Sequence, residues 1–136
     1  MNNDARYVFD TNVIISALLF EKSVPAQAFF TAHSTGTILL SAPLVQEIND
    51  TLRRPKFERY VPWNEREEFI SALVRDALIV KPSEPVSQGR DPRDNMLLEV
   101  AVAGAATLIV TGDADLLCMN PFQHIPILTP AEFLKR

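Results

Sequence analysis

Short, almost entirely apolar runs recur along this chain, and they constrain its fold more than any other feature. Such runs occupy residues 7–9, 37–40, 78–80, 108–110 and 125–128. Strands with continuous apolar character are typically buried on both faces, as in a parallel sheet covered by helices. Segments with helical patterning lie between the runs and can supply the crossover connections. The sequence therefore predicts an α/β fold, a three-layer α/β/α sandwich around a central parallel sheet of about five strands.

Helix signals fill the intervening segments. We expect helices near residues 13–20, 24–33, 43–53, 64–76 and 94–104, and a last one after residue 129. Ser41 can cap the third of these helices, and Asn64 with Glu67 resembles a capping box for the fourth. The last helix has a threonine cap, a proline at its first position and an acid at its third.

Length and composition place the chain among soluble globular proteins. Its 136 residues predict one domain spanning 1–136, and a hydrophobic content of 47% excludes disorder as the main state. The single cysteine, Cys118, cannot form an internal disulfide, so we expect a small buried thiol in a reducing compartment. No apolar stretch approaches the roughly 18 residues of a membrane span. The expected location is the cytoplasm, away from any membrane.

Carboxylates stand where the predicted strands end. Asp10 directly follows the first strand, and Asp113, with Asp115 two residues later, follows the fourth. Glu47 lies in the helix after the second strand, and Asp94 opens the helix after the third. Because the carboxyl ends of parallel strands meet at one edge of a sheet, we expect these acids at a common rim. Each acid taken singly is also consistent with a helix cap, a turn or a solvated position.

Like charges gathered at one rim repel each other, and a divalent cation would compensate them. Carboxylate oxygens and water suit Mg²⁺ or Mn²⁺, whereas the cysteine pairs or histidine spacing of a zinc site are missing from the sequence. The formal charge of the chain is −4, and the five acids alone contribute −5. The remainder is close to neutral, so the acidic pI of about 5.1 is compatible with a nucleic-acid substrate.

Residues 53–66 are locally basic. Five basic residues stand against two acidic ones, with Phe57, Tyr60 and Trp63 interleaved. Basic side chains can bind phosphates and aromatic rings can stack on unpaired bases. The candidate nucleic-acid contacts are Arg53, Arg54, Lys56 and Arg59. A solvated helix edge whose aromatic rings anchor it to the core is the alternative, and it stays open.

The order and spacing of the acids closely resemble the PIN-domain family of metal-dependent ribonucleases. The matching motifs are Phe9-Asp10-Thr11-Asn12-Val13, Ser41-Ala42-Pro43 followed by Glu47, Asp91-Pro92-Arg93-Asp94-Asn95, and Thr111-Gly112-Asp113-Ala114-Asp115-Leu116. The likeness covers nearly the whole chain, down to residues 128–133. Within the family, the sequence looks most like the compact VapC-like toxins of bacterial toxin–antitoxin pairs.

The resemblance implies an endoribonuclease that hydrolyses phosphodiester bonds with Mg²⁺ or Mn²⁺. It implies catalysis by Asp10, Glu47, Asp94 and Asp113, with Asp10, Asp94 and Asp113 toward the metal and Asp115 toward a second ion. Thr11, Asn12, Ser41 and Thr111 are candidate hydrogen-bond donors around the acids, although caps and turns would also explain them. A small antitoxin encoded beside this chain and a homodimer are further expectations from the resemblance.

Three other interpretations fit parts of the pattern. A haloacid-dehalogenase-like phosphatase also has an acid after the first strand, but its general acid would be Asn12, which cannot deliver a proton. A response-regulator receiver needs an aspartate after the third strand and a lysine after the fifth, where Lys81 and Thr129 stand instead. A PIN-like protein that binds RNA without cleaving it stays open as an alternative.

Overall fold

The computed structural model describes residues 4–136, which build one five-stranded parallel sheet in the order β3-β2-β1-β4-β5. The strands are β1 (Arg6–Phe9), β2 (Thr37–Leu40), β3 (Leu78–Ile79), β4 (Leu108–Val110) and β5 (Ile127–Leu128). Every pairing in the sheet is parallel. The α/β architecture predicted from the apolar runs is confirmed.

The helices connect the strands and continue after the last one. They are α1 (Thr11–Leu19), α2 (Val24–Thr35), α3 (Ala42–Leu52), α4 (Trp63–Asp76), α5 (Pro92–Ala103), α6 (Ala114–Leu117) and α7 (Pro130–Lys135), with a 3-10 turn at Pro55–Phe57. Only α6 lacks a counterpart in the sequence prediction, because four residues are too few to show a helical period. Among residues 4–136, no single helix has the length and apolar character needed to cross a membrane, although α1 and α2, bent by 103° at their junction, meet those criteria together.

Capping chemistry explains where most helices begin. The Ser41 hydroxyl accepts a hydrogen bond from the backbone N–H of Leu44, and Thr129 and Glu132 form a reciprocal capping box at the start of α7. The predicted box of Asn64 and Glu67 is wrong. Helix α4 begins one residue earlier, at Trp63, where the carbonyl of the preceding proline already accepts the first helical hydrogen bonds.

The sheet interior is apolar, as predicted, but the β3 edge of the sheet is exposed. Phe9, Leu39 and Ile109 on the three central strands are fully enclosed. The prediction of a buried third strand is wrong, since Leu78 and Ile79 are 39% and 47% exposed. Strand β3 lies at the edge and pairs only with β2, so solvent reaches its other side.

Two further details concern small residues. Cys118 ends α6 and is exposed, so the prediction of a buried thiol is wrong.

Gly104 ends α5 against β2, where a Cβ atom would lie 2.6 Å from Cδ1 of Leu39. Because the neighbouring residues of α5 are also small, the end of this helix packs closely against β2.

The topology creates a crevice at the carboxyl ends of β1 and β4. The chain leaves β1 toward β2 on one side and leaves β4 toward β5 on the other. Right-handed crossovers place the helices of these two halves on opposite faces of the sheet. Ligands of open α/β sheets bind at such a switch point, outside the ends of the strands.

Candidate functional site

Two of the predicted acids flank the crevice between β1 and β4. Phe9 is in register with Val110, so Asp10 and Thr111 are the next residues on the two strands. The backbone N–H of Asp10 donates to the carbonyl of Val110 at 2.9 Å, which extends the ladder to the crevice itself. The backbone of Asp10 is therefore fixed by the sheet, and Asp113 follows two residues after Thr111.

Thr111 joins these two acids. Its hydroxyl donates to Oδ2 of Asp10 at 2.7 Å and accepts the backbone N–H of Asp113 at 3.0 Å. The side chain has no solvent exposure, so water does not compete for either bond. Thr111 thus occupies the position expected of a donor that holds the acids in place.

Asp10 and Asp113 also cap the helices that follow them. Oδ1 of Asp10 accepts the N–H of Asn12 at 3.2 Å, and Oδ1 of Asp113 accepts the N–H of Asp115 at 2.9 Å. The capping interpretation of these acids is correct, but capping uses only part of the hydrogen-bond acceptor capacity of each carboxylate. A carboxylate has about four acceptor sites, so one cap leaves capacity for a further ligand.

Glu47 reaches the crevice from α3. The hydroxyl of Thr11, the first residue of α1, donates to Oε2 of Glu47 at 2.9 Å. Nε of Arg93 lies 3.8 Å from Oε1 of the same carboxylate. Glu47 is half-buried and held from two sides, so it is not a freely solvated helix residue.

Asp94 is the most buried of the acids around the crevice and does not cap its helix. Asp91 caps α5 by accepting the N–H of Arg93 at 2.9 Å, so α5 begins at Pro92 and not at Asp94 as predicted. Asp94 is 5% exposed. Burial, followed by the negative charges of Asp113, Asp91 and Asp10, raises the pKa of Asp94 to about 6. Acids from three segments therefore act on one carboxyl group.

Asp91 shows the opposite behaviour one helical turn away. The backbone N–H and the guanidinium of Arg93 both donate to its carboxylate and hold the pKa of Asp91 below its usual value. Asn95 fixes the preceding loop by bonding both the N–H and the carbonyl of Gly89, at 2.8 and 3.3 Å. Hydrogen bonds thus hold the backbone before and at the start of α5, on both sides of Asp94.

All four predicted catalytic acids line one polar cleft of about 130 Å³, called the acidic cleft below. Its walls are Asp10, Thr11, Asn12, Glu47, Thr51, Arg54, Asp91, Arg93, Asp94, Leu97 and Asp113. Arg93 was missed by sequence reasoning, although its place inside the Asp-Pro-Arg-Asp motif was a usable signal. The cleft therefore combines a cluster of carboxylates with two guanidinium groups.

Two predicted members of the site lie elsewhere. Asp115 lines a neighbouring depression of about 200 Å³, which it shares with Asp94 and Cys118. The hydroxyl of Ser41 caps α3 through Leu44. Ser41 therefore fits the capping interpretation and does not line the acidic cleft, and a supporting role beside the acids stays a prediction.

The basic residues of segment 53–66 have different surroundings. Arg54 lines the acidic cleft. Arg53, Lys56 and Arg59 are exposed, and their charges lie 5.0, 5.1 and 5.4 Å from the ring centroids of Trp63, Phe57 and Tyr60. Arg66 is only 2% exposed, because it donates to the carbonyl of Leu52 and pairs with Glu58. Arg66 is therefore not part of a solvated helix edge, and RNA contact by the exposed Arg53, Lys56 and Arg59 stays a prediction.

The donor set of the acidic cleft suits a hard cation. Its carboxylates and hydroxyls are the oxygen ligands that Mg²⁺ and Mn²⁺ prefer. Beside burial, the negative charges of Asp113, Asp91 and Asp10 contribute to the raised pKa of Asp94, and a cation in the cleft would offset them. Within residues 4–136, however, no group of three or more Asp, Glu, His or Cys side chains is already arranged to hold a metal ion. A cation would therefore have to draw these carboxylates together.

Comparison with known proteins gives a consistent result. The family model described as PIN domain matches residues 6–115. An uncharacterized protein, MJ1680 of Methanocaldococcus jannaschii, is 27% identical over 140 residues, covering 96% of this chain and 90% of that protein. The crystal structure of PAE2754 from Pyrobaculum aerophilum superimposes with a TM-score of 0.64 at 13% identity, covering 99% of this chain and 92% of the other. VapBC2 from Rickettsia felis, bound to a DNA fragment from its promoter, gives 0.61 at 13% identity, covering 91% and 98%.

Proposed function

The chain belongs to the PIN-domain family, and on that premise we propose that it is a Mg²⁺- or Mn²⁺-dependent endoribonuclease, the toxin of a toxin–antitoxin pair. One observation carries the proposal. Asp10, Glu47, Asp94 and Asp113 come from four separate segments and line the same cleft. Structural needs alone do not explain this gathering, because mutual repulsion of buried carboxylates destabilises a fold.

The proposed chemistry is hydrolysis of an RNA phosphodiester bond. Mg²⁺ or Mn²⁺ held by Asp10, Asp94 and Asp113 would supply an activated water and stabilise the leaving oxygen. We assign to Glu47, whose carboxylate accepts a hydrogen bond from Thr11, the role of orienting the attacking water and accepting its proton. Thr111 keeps Asp10 aimed at the crevice.

The two arginines of the acidic cleft give the site a means of holding RNA. Arg54 and Arg93 line the cleft beside the acids, and both side chains are exposed. A guanidinium donates two parallel hydrogen bonds to a phosphate, which fixes its orientation. We assign both residues to the non-bridging oxygens of the substrate phosphate.

A cleavage assay with matched variants tests the proposed activity. Wild-type protein is incubated with structured and unstructured RNAs in Mg²⁺, Mn²⁺ or EDTA, and cleavage is expected only with metal. Asp10→Asn and Asp113→Asn should each lose more than about 100-fold in rate, since substitutions of mere outer partners already cost 10- to 100-fold. Asp50→Asn, an exposed carboxylate on the same helix as Glu47, is the control and should cleave normally.

Two results would contradict the assignment. Normal cleavage by a folded Asp10→Asn protein would show that the acidic cleft is not the active site. Tight RNA binding by the wild type without cleavage in any metal would favour the catalytically silent alternative.

The toxin role needs a separate test. The fold likeness to VapBC2, a complex bound to promoter DNA, supports an antitoxin partner for this chain as well. Expression of the wild-type chain should arrest growth, and the protein of the adjacent gene should restore growth and co-purify. The Asp10→Asn variant should be harmless but still co-purify. A homodimer, with twice the chain mass of 15.2 kDa by light scattering, remains a prediction.

A further inference from the structure

A second cleft adjoins the acidic cleft and is chemically different. It has a volume of about 570 Å³ and is called the apolar cleft below. Asp10, Asn12 and Asp113 line both clefts, so the two are continuous at these residues. The remaining walls are Val13, Ser16, Val24, Pro25, Gly112, Thr129, Pro130 and Ala131. Neither the acid arrangement nor the proposed hydrolysis explains this second space.

The walls of the apolar cleft favour an uncharged group. The two shared aspartates are its only charged lining residues among residues 4–136, and they lie where it meets the acidic cleft. Val24 is 44% exposed, so apolar surface remains uncovered there. The volume falls within the roughly 300–1,000 Å³ typical of small-ligand sites. An apolar space of this size beside polar groups is typical of a binding site.

We propose that the apolar cleft binds one unpaired nucleobase of the RNA, next to the phosphodiester bond that is cut. This inference rests on the proposed function, because it needs an RNA phosphate in the acidic cleft. With that phosphate near Asp10 and Asp113, the base of an adjoining nucleotide lies beside the same two residues. The apolar walls can then take the face of the base, while Asn12 and Ser16 offer polar groups to its edge.

The proposed subsite also sets the form of the substrate. A base inside a duplex is stacked and paired, so it cannot enter a cleft without being extruded. Single-stranded RNA, or an unpaired loop, avoids that cost. We therefore expect cleavage to fall when the nucleotide beside the cut is placed in a duplex.

The first experiment removes the base from the RNA. The probe is the shortest single-stranded RNA that the wild-type protein cuts at one bond. A series of such RNAs carries one abasic nucleotide each, at successive positions on both sides of the cut. Losing the burial of one flat group of this size against apolar walls is worth about 10- to 100-fold in kcat/KM. We expect that loss at a single position beside the cut and little change elsewhere.

The second experiment fills the cleft from the protein side. Ala131→Trp, from α7, should lower kcat/KM on intact RNA by a similar factor and add no further loss on the abasic RNA. Leu134→Trp is the matched control on the same helix, outside the cleft, and should behave as wild type with both RNAs. If Ala131→Trp does not fold, Val24→Asn, at an exposed position, replaces it and should weaken the same contact.

The outcomes separate this inference from the proposed function. If the RNA is still cut and no abasic position lowers kcat/KM, the base subsite alone would be overturned. No cleavage of any RNA would overturn both. Normal cleavage by Ala131→Trp, together with lost binding of the neighbouring gene's protein, would assign the cleft to a protein partner and would also overturn the subsite.

Discussion

Replacing Asp94 with asparagine should stabilise the metal-free protein at neutral pH. Asp94 is 5% exposed and its pKa is raised to about 6, against 3.8 for the unperturbed carboxyl. The folded state therefore favours the protonated form. Below about pH 4 the Asp94 carboxyl group is mostly protonated in both the folded and the unfolded state, so it does not lower the free energy of unfolding. Between about pH 4 and pH 6 the unfolded state ionises first, so the free energy of unfolding falls as pH rises.

The size of the effect follows from the two pKa values. Their difference corresponds to about 3 kcal/mol of unfolding free energy lost above pH 6. The side-chain amide of the Asp94→Asn variant cannot ionise, so that protein should lack this loss. At pH 8 in EDTA it should melt up to about 10 °C above wild type, and at pH 4 the two should agree.

The neighbouring Asp91 provides the control. Arg93 lowers the pKa of Asp91, so its carboxylate stabilises the fold above pH 4 and this contribution is lost as pH falls. Asp91→Asn should therefore melt below wild type at pH 8, opposite to Asp94→Asn. Melting curves of the three proteins between pH 4 and pH 8 in EDTA make the comparison. An Asp94→Asn protein with the wild-type slope, or a lower melting temperature at pH 8, would refute the reasoning.

Three further predictions concern the metal, the RNA and the fold. Asp113→Asn should gain much less melting temperature from millimolar Mn²⁺ than wild type, for which a hundredfold excess over the dissociation constant adds about 2.7 kcal/mol; equal gains would show that Asp113 is no ligand. Arg54→Gln and Arg93→Gln should each weaken RNA binding and reduce the slope of log affinity against log salt by about 1, while Arg59→Gln leaves the slope near wild type. Arg66→Ala should lower the free energy of unfolding by about 2 kcal/mol in urea titration, because it leaves a buried carbonyl unpaired; a change below about 0.5 kcal/mol would count against that role.

The location of the acids could be predicted because topology alone brings strand ends together. Asp10 and Asp113 follow β1 and β4, so identifying the strands places both at one crevice. The choice between Asp91 and Asp94 as the cap of α5 was harder, since both are aspartates beside a plausible helix start. Pro92 was the signal that could have decided it, because proline favours the first helical position and Asp91 directly precedes it.

The burial of individual side chains in the basic segment was harder to predict, because composition does not show which residues are buried. Arg66 and Leu73 are both buried and lie seven residues apart on α4, on the same face of the helix. Reading that helical period would have placed Arg66 inside, whereas counting the charges of the segment says nothing about burial. The exposed β3 was also hard to predict, because a continuous apolar run does not show whether helices cover the strand. The other edge strand, β5, packs against α6 and α7 and buries Ile127, whereas β3 mainly contacts β2 and leaves Leu78 and Ile79 exposed.

The hydrogen bonds of the acidic cleft give its two central acids different surroundings. Asp10 accepts bonds from the Thr111 hydroxyl and the Asn12 backbone, and these donors hold its carboxylate in one orientation. Asp94 instead faces other carboxylates, which favour its neutral form. A cation entering the cleft would find one acid already oriented and would compete with a proton for the other. Burial is the largest cause of the raised pKa of Asp94, and the surrounding negative charges add to it. The repulsion among these charges is the part that either a proton or a bound cation would relieve.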